Sequence, residues 1–210
     1  MSPLFLVFEG IEGSGKSTQA RMLADALTAR GVPCVLTREP GGTPTGEAIR
    51  EILLNGVEIP AAAELLLMCA ARASHVTDVI RPALAAGAIV ISDRYELSTF
   101  AYQGAGRTLD MADVRAVSRV ATGGLEPDLT IVVDVPWEVG AARRAGTSED
   151  RIESAGAAFH RRVSEAYRLL SEGQHAVMRV DGVGSPDEVH ARVVALLRRR
   201  FPETFASEKG

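Results

Sequence analysis

The segment FEGIEGSGKST, residues 8 to 18, limits what this 210-residue chain can fold into more than any other stretch. It follows an apolar run, LFLVF, that reads as a buried parallel strand. It leads into KSTQARMLADALTAR, whose apolar residues recur at helical spacing. Gly10, Gly15, Lys16 and Ser17 hold the fixed positions of a phosphate-binding loop, with Ile11, Glu12, Gly13 and Ser14 between the glycines and Thr18 after them. Glycine lets the backbone close around phosphate oxygens, successive N–H groups point inward, and the dipole of the following helix adds attraction. In such a loop the lysine reaches the outer phosphates and the serine hydroxyl holds Mg²⁺. Cation usage sharpens the reading. Of 23 Lys+Arg residues only Lys16 and Lys209 are lysines, and Lys209 lies in a polar tail. A nucleoside-triphosphate site follows.

The rest of the chain alternates short apolar runs with helical patterns. Strands are expected at Leu4–Phe8, Cys34–Thr37, Ala88–Ser92, Leu129–Asp134 and Ala176–Val180. Helices are expected near 16–30, 44–55, 61–86, 95–104, 110–122, 136–143, 152–172 and 186–200. This pattern predicts an α/β domain over 1–210, with a five-stranded parallel sheet covered by helices on both faces in three layers. The end of the chain, FPETFASEKG (201–210), is expected to fray. Ligands of such sheets bind beyond the carboxyl ends of the strands. Four expected strands end there on charge: Glu9, Arg38 with Glu39, Asp93 with Arg94, and Asp134. Such an edge suits a highly charged ligand with a metal ion.

Net charge −4 and a pI near 5.6 argue against general binding to nucleic acid or acidic membranes. Cys34 and Cys69 form no C-x-x-C and read as reduced thiols. Glu64, Arg72 and Arg81 interrupt the longest apolar stretch, so no membrane span is expected. The phosphate loop begins about ten residues in, leaving no room for a signal peptide, and a cytoplasmic setting is expected.

An acceptor that is itself a phosphate needs no general base, because its second pKa is near 6. It needs cations that bring two anions together and spread charge in the transition state. The sequence supplies arginines. Asp93 and Arg94 follow the strand AIVISD, where Asp93 suits Mg²⁺ and Arg94 suits a bidentate phosphate clamp; a structural Asp–Arg pair is the other reading. Arg38 opens the loop REPGG, where it can support phosphate or pair with Glu39. Arg72 sits in the apolar helix ELLLMCAARAS and either snorkels outward or serves the site. Arg143, Arg144 and Arg151 lie in ARRAGTSEDRIE, a charged surface loop or a lid over ATP spanning about 143–152 with Gly146 as hinge. His75, His160, His175 and His190 lack metal-ligand spacing and are expected in surface or packing roles.

FEGIEGSGKST, REPGGTPTGEAIR, DRYELSTFAYQG, PDLTIVVDV and DRIE…F..RV…Y stand in the order and spacing of bacterial thymidylate kinases, and nearly the whole chain resembles that family. The resemblance implies a homodimeric enzyme with the fold above that transfers the γ-phosphoryl group of ATP to dTMP. It implies that Asp93 and Arg94 are active-site residues and that Glu12 faces the sugar 3′-hydroxyl of the acceptor. By the same resemblance Arg72 contacts thymine, and Ser98, Thr99, Tyr102 and Gln103 line the base and the 2′ position. Some members carry an arginine where this chain has Gly13; members without it take a catalytic cation from the lid, at the position matching Arg151. On that reading an arginine placed at position 13 restores some activity to an Arg151→Ala chain. Met68 departs from the family, which usually places a phenylalanine there to stack on the base.

Three other readings compete on the residues. A GTP-dependent switch needs an N-K-x-D motif, which neither lysine can form. A hydrolysing ATPase would turn over without an acceptor, and a kinase for another nucleotide is the nearer alternative.

Overall fold

Strand β1 (Phe5–Glu9) is buried along its whole length because it is paired in parallel on both edges, with residues 89–93 on one side and 129–134 on the other. The computed structural model describes residues 2–55, 58–146 and 150–205. Residues 147–149 of the expected lid and 206–210 of the expected tail, Lys209 included, lie outside them. With β2 (Cys34–Arg38), β3 (Ile89–Asp93), β4 (Leu129–Asp134) and β5 (Val177–Asp181), the sheet runs in the order β2-β3-β1-β4-β5, all parallel. The chain leaves β1 to one side for β2 and β3 and crosses to the other for β4. The crevice beyond the carboxyl end of β1 is therefore where the topology opens a ligand site.

Helices α1 (Lys16–Ala29), α2 (Pro44–Asn55), α3 (Ala61–His75) and α4 (Arg81–Ala85) precede β3. Next come α5 (Glu96–Thr99), α6 (Met111–Thr122), α7 (Trp137–Arg144), α8 (Ala157–Leu170), α9 (Pro186–Arg200) and α10 (Pro202–Phe205). The period of two along β1 sorts its side chains into layers. Leu6 and Phe8 pack with Leu23 and Leu27 of α1 and Val193 and Leu197 of α9. Phe5 and Val7 face the opposite side, with Val76, Ile80 and Tyr95. Glu9 continues that second row, so its carboxylate lies wholly buried beneath the layer of α3, α5, α6 and α8.

Two expected helices contain π-helical turns. Val76–Ile80 joins α3 to α4, and Phe100–Gly106 extends α5 toward α6. The second is seated on α8 so closely that a Cβ on Gly106 would lie 2.6 Å from the Phe159 ring. Helices α6 and α9 start on side-chain caps: Asp110 accepts from Ala112 N–H at 2.7 Å, and Ser185 and Glu188 form a capping box. Helix α1 has no side-chain cap; it starts at Gly15 in a left-handed conformation (φ 95°), leaving its first N–H groups to the loop. No helix among the described residues is long and apolar enough to cross a membrane.

The end of the chain corrects one expectation. Residues 202–205 do not fray: they form α10, with Thr204 and Phe205 only 6% and 4% exposed and Phe205 part of the core on α9. Burying the Phe205 ring, worth about 1.5–3 kcal/mol, and bonding the Thr204 and Phe205 N–H groups to the Phe201 carbonyl together offset backbone freedom lost in this turn. Phe205→Ala is accordingly expected to lower unfolding free energy by roughly 3 kcal/mol, read from the denaturant midpoint at unchanged m-value.

Candidate active site

Gly10, Gly13 and Gly15 of the loop all take positive φ (139°, 76° and 95°), which side-chain-bearing residues rarely adopt. A Cβ on Gly10 would lie 2.6 Å from the Val133 carbonyl. Within the loop Lys16 is 5% exposed and donates from Nζ to Glu12 Oε2 at 3.2 Å. The other oxygen of Glu12 accepts a short hydrogen bond from Arg94 Nη2. One carboxylate thus bridges the two cations expected to handle phosphate.

Arg94 stands at the exit of β3 with φ 76°, held there by its N–H to the Phe8 carbonyl (2.9 Å) and by Ser92 Oγ donating to its own carbonyl (2.7 Å). The left-handed turn redirects its side chain across β1. Nη1 donates to Ser98 Oγ (2.9 Å), Tyr167 Oη (3.1 Å) and the Gly10 carbonyl (3.2 Å). Nη2 donates to Tyr102 Oη (3.1 Å), whose ring lies under the guanidinium at 5.0 Å. Ser98 and Tyr167 pass the chain on, donating to Glu9 Oε2 at 2.6 and 2.8 Å, while Tyr95 and Ser98 N–H groups bond Oε1. Burial pushes the Glu9 carboxyl up against the pull of Arg94 and its hydrogen bonds. Burial pushes Glu12 up too, but Arg94 and Lys16 outweigh it and hold Glu12 well below the usual carboxylate range. Burial raises the Tyr102 and Tyr167 phenols, so both remain donors.

Two cavities meet at Lys16. One, of about 310 Å³, opens between Lys16 and the helix layer; Arg38, Met68, Arg72, Asp93 and Arg94 line it, as do Ser98, Thr99, Tyr102 and Gln103. The other, of about 380 Å³, lies over the loop from Gly13 to Thr18 and reaches Arg143 and Gly182. Glu12, Lys16 and Ser17 belong to both. A ligand in each would bring its end to Lys16.

Arg72 is buried and does not snorkel: Nε donates to Glu39 Oε2 (2.8 Å), Nη2 to the Tyr95 carbonyl (2.9 Å), and Nη1 has no partner. Arg38 does not pair with Glu39. It turns out to Glu47, to which Nη2 donates at 2.8 and 3.0 Å, because Glu39 is already taken by Arg72 and His75. Gln103 donates to Glu64 Oε1 at 2.8 Å from the first cavity's wall. Asp93 Oδ1 is buried without a hydrogen-bond partner, and the Ser17 hydroxyl is exposed at the junction of the cavities. No cluster of three or more His, Cys, Asp or Glu suited to a metal occurs among the described residues. Mg²⁺ needs none, since it binds through one or two protein oxygens plus phosphates and water. Ser17 and Asp93 fit that demand.

The lid arginines part company. Arg143 lies over the loop, donating to the Gly13, Ser14 and Gly182 carbonyls at 3.4, 3.3 and 3.1 Å. Arg144 faces Glu153 at 3.8 Å and the Trp137 ring at 5.6 Å, outside both cavities. Arg151 is not brought to the phosphate loop. Nη2 donates to Glu64 Oε2 (2.7 Å) and Nε to the Leu53 carbonyl (2.9 Å), because fully buried Glu64 gathers Arg107, Gln103 and Arg151 together. Position 13 also corrects an expectation. A Cβ there would lie 2.2 Å from the Gly140 carbonyl of α7, so an arginine at 13 cannot replace Arg151 without displacing that helix.

Two residues of the site have no role in the sequence reading, and a third, Glu9, enters it only as a charged strand exit. Glu9 lay in a run with no polar alternation, Tyr167 closes the quoted DRIE…F..RV…Y pattern, and Arg50, at the end of REPGGTPTGEAIR, lines the first cavity and donates to the Pro40 carbonyl at 2.9 Å. The Glu12 charge makes a checkable contribution to stability. Its lowered pKa means that its stabilisation is complete above the ordinary value of 4.5 and is lost as pH falls. Glu12→Gln should be less stable than the parent at neutral pH, and denaturant titrations should show the gap closing below about pH 4.5.

Comparison with known proteins points to one family. The thymidylate kinase family model matches residues 8–193. A thymidylate kinase of Synechococcus sp. (strain JA-2-3B'a(2-13)) is 46% identical over 207 residues, covering 98% of this chain and 100% of the relative. One of Thermomicrobium roseum is 51% identical over 192 residues, covering 90% and 91%. The crystal structure of thymidylate kinase from Ehrlichia chaffeensis superimposes with a TM-score of 0.78 at 32% identity, covering 94% of this chain and 99% of that one. A loop that joins two cations through one carboxylate, between two cavities that meet at its lysine, thus sits in a chain that belongs to the thymidylate kinase family.

Proposed function

We propose that the cavity over the phosphate loop takes ATP and the cavity beside Arg72 takes dTMP, with the γ-phosphoryl group passing between them at Lys16 to give dTDP and ADP. The observation that carries this reading is the sharing of Glu12, Lys16 and Ser17 by both cavities. Gly10, Ile11, Glu12, Gly13, Ser14, Gly15 and Thr18 shape the loop around the donor phosphates, and Arg143 closes its far side. Lys16 neutralises charge on the transferring group. Arg94 clamps the acceptor phosphate and holds it in line, its guanidinium kept rigid by Ser98, Tyr102 and Tyr167. Phosphate oxygens compete with Glu12 for both cations, which frees its carboxylate to turn to the sugar hydroxyl. Ser17 and Asp93 would hold Mg²⁺, which supplies charge neutralisation between the donor phosphates. Arg72 offers its unpartnered Nη1 to the base, with Thr99, Gln103 and Met68 around it, and Arg38 borders the acceptor phosphate. Arg151 reaches the γ-phosphoryl only when a lid movement breaks its bonds to Glu64 and Leu53; Arg144 moves on the same segment.

The large apolar side chains Ile52 on α2 and Leu66 on α3 are 47% and 57% exposed, which supports a homodimer. Free cysteines at 34 and 69 support a cytoplasmic setting.

A coupled ADP assay with a panel of nucleoside monophosphates tests the assignment: turnover should require dTMP, and ADP release without an acceptor would refute it. Lys16→Ala and Arg94→Ala should each lower kcat by about a hundredfold or more, with Arg94→Lys recovering only part of the loss. Met68 should cost acceptor affinity, since a thioether against the base is worth ~1 kcal/mol less than a stacked ring. Met68→Phe is expected to lower the dTMP dissociation constant several-fold, measured by calorimetry, without changing which base is preferred.

A further inference from the structure

Arg72 and His75 lie three residues apart on α3 and share a face. They hold the same carboxylate from two sides. Arg72 Nε donates to Glu39 Oε2 at 2.8 Å, and His75 Nδ1 is 2.9 Å from Glu39 Oε1. An ionised carboxylate only accepts, so Nδ1 carries the proton of that bond. The other ring nitrogen, Nε2, meets Thr37 Oγ1 at the end of β2, 2.7 Å away. His75 is 0% exposed, and the REPGG loop is pressed onto this contact: a Cβ on Gly42 would lie 2.7 Å from Thr37 Oγ1 and 3.0 Å from His75 Cδ2. Gly42 has φ 78°, so a side chain is excluded there on backbone grounds as well.

Every polar side-chain atom of this cluster is satisfied except one, Arg72 Nη1, a buried donor on a residue that lines the first cavity. Its direction is set by two anchors on the same guanidinium: Glu39 at Nε and the Tyr95 carbonyl at Nη2. The second anchor is backbone and cannot move far. The first is a side-chain carboxylate free to rotate unless something holds its other oxygen, and that something is His75.

We propose that His75 is a positioning residue for base selection, fixing the aim of Arg72 through Glu39 from a seat braced by Thr37 and Gly42. The inference rests on the reading of Arg72 as the base contact. A lone buried N–H suits a carbonyl on the pyrimidine edge and is left unpaired by an amino group at the same place, which separates thymine from cytosine. Letting the guanidinium swing weakens the good contact and blunts the rejection of the poor one. A histidine that merely filled the core would do neither.

Steady-state kinetics with dTMP and dCMP as acceptors, and melting temperatures of each variant, test this. His75→Leu should raise the KM for dTMP about tenfold and shrink the dTMP-over-dCMP ratio of kcat/KM, with kcat and the KM for ATP within about twofold of the parent. His75→Asn keeps a donor facing Glu39 and should recover most of both losses. If His75→Leu does not fold, Thr37→Val, which removes only the brace, should shift both quantities in the same direction by about two- to threefold. The proposal is overturned if folded His75→Leu or Thr37→Val leaves both unchanged while Arg72→Ala raises the KM for dTMP. It is also overturned if His75→Asn is as damaged as His75→Leu, or if kcat and both KM values deteriorate alike. An Arg72→Ala variant with an unaltered KM for dTMP would instead remove the base contact itself, and the proposal with it.

Discussion

A guanidinium drawn largely out of solvent needs partners for its donors and an answer to its charge, and at Arg94 both terminal nitrogens and the charge are served by one connected group of residues. Its charge is answered on one side by Glu12, directly, and on the other by Glu9 through Ser98 and Tyr167. Those partners come from the phosphate loop, β1, α5 and α8, so the ends of four elements are tied at one point. The carboxylates differ in how they are held. Glu9 is fully buried and displaced upward by burial, and its role is to orient hydroxyls. Glu12 is partly exposed in its side chain, at 27%, and is kept ionised by two cations that phosphate oxygens would also seek. A permanent brace and an exchangeable partner therefore share one arginine.

The same economy of contact joins the loop to α7. Gly13 and Gly140 meet backbone to backbone, since a Cβ on Gly140 would lie 2.6 Å from the Glu12 carbonyl. Helix α7 is thereby seated directly on the phosphate loop, and its last turn carries Arg143 over the Gly13 and Ser14 carbonyls of that loop and the Gly182 carbonyl beyond β5. The Asp150 side chain accepts from the Ile152 and Glu153 N–H groups, and Arg151 is spent on Glu64. Arg143 is consequently held over the phosphate loop, and Arg151 on Glu64, which Gln103 of the first cavity's wall also contacts.

Much of this was legible in the residues. All five strands, their parallel arrangement and the charged exits of four of them follow from apolar run length and from where charge resumes. The loop pattern led to Lys16, and the strand exit to Arg94. What stayed hidden were pairings across elements. Arg38 reads beside Glu39 in sequence, yet successive residues at a strand end point to opposite faces, and Glu39 turns in to Arg72 while Arg38 turns out to Glu47. Glu9 gave no polar alternation, because a strand buried on both faces has none to show. The terminal Phe205 looked like part of a polar tail until α9 presented a surface for it.

Local chemistry alone determined the phosphate loop, the strand and helix inventory and the supply of arginines, because these depend on backbone permissiveness, hydrophobic period and residue type within a few positions. Tertiary structure alone decided which carboxylate each arginine answers. Glu64 drew Arg151 away from the loop, Glu39 drew Arg72 into the core, and Gly140 closed position 13 to any side chain. The physical reason is that a charge settles where desolvation and competing partners balance, and those partners come from residues tens of positions away that meet only once the layers are packed.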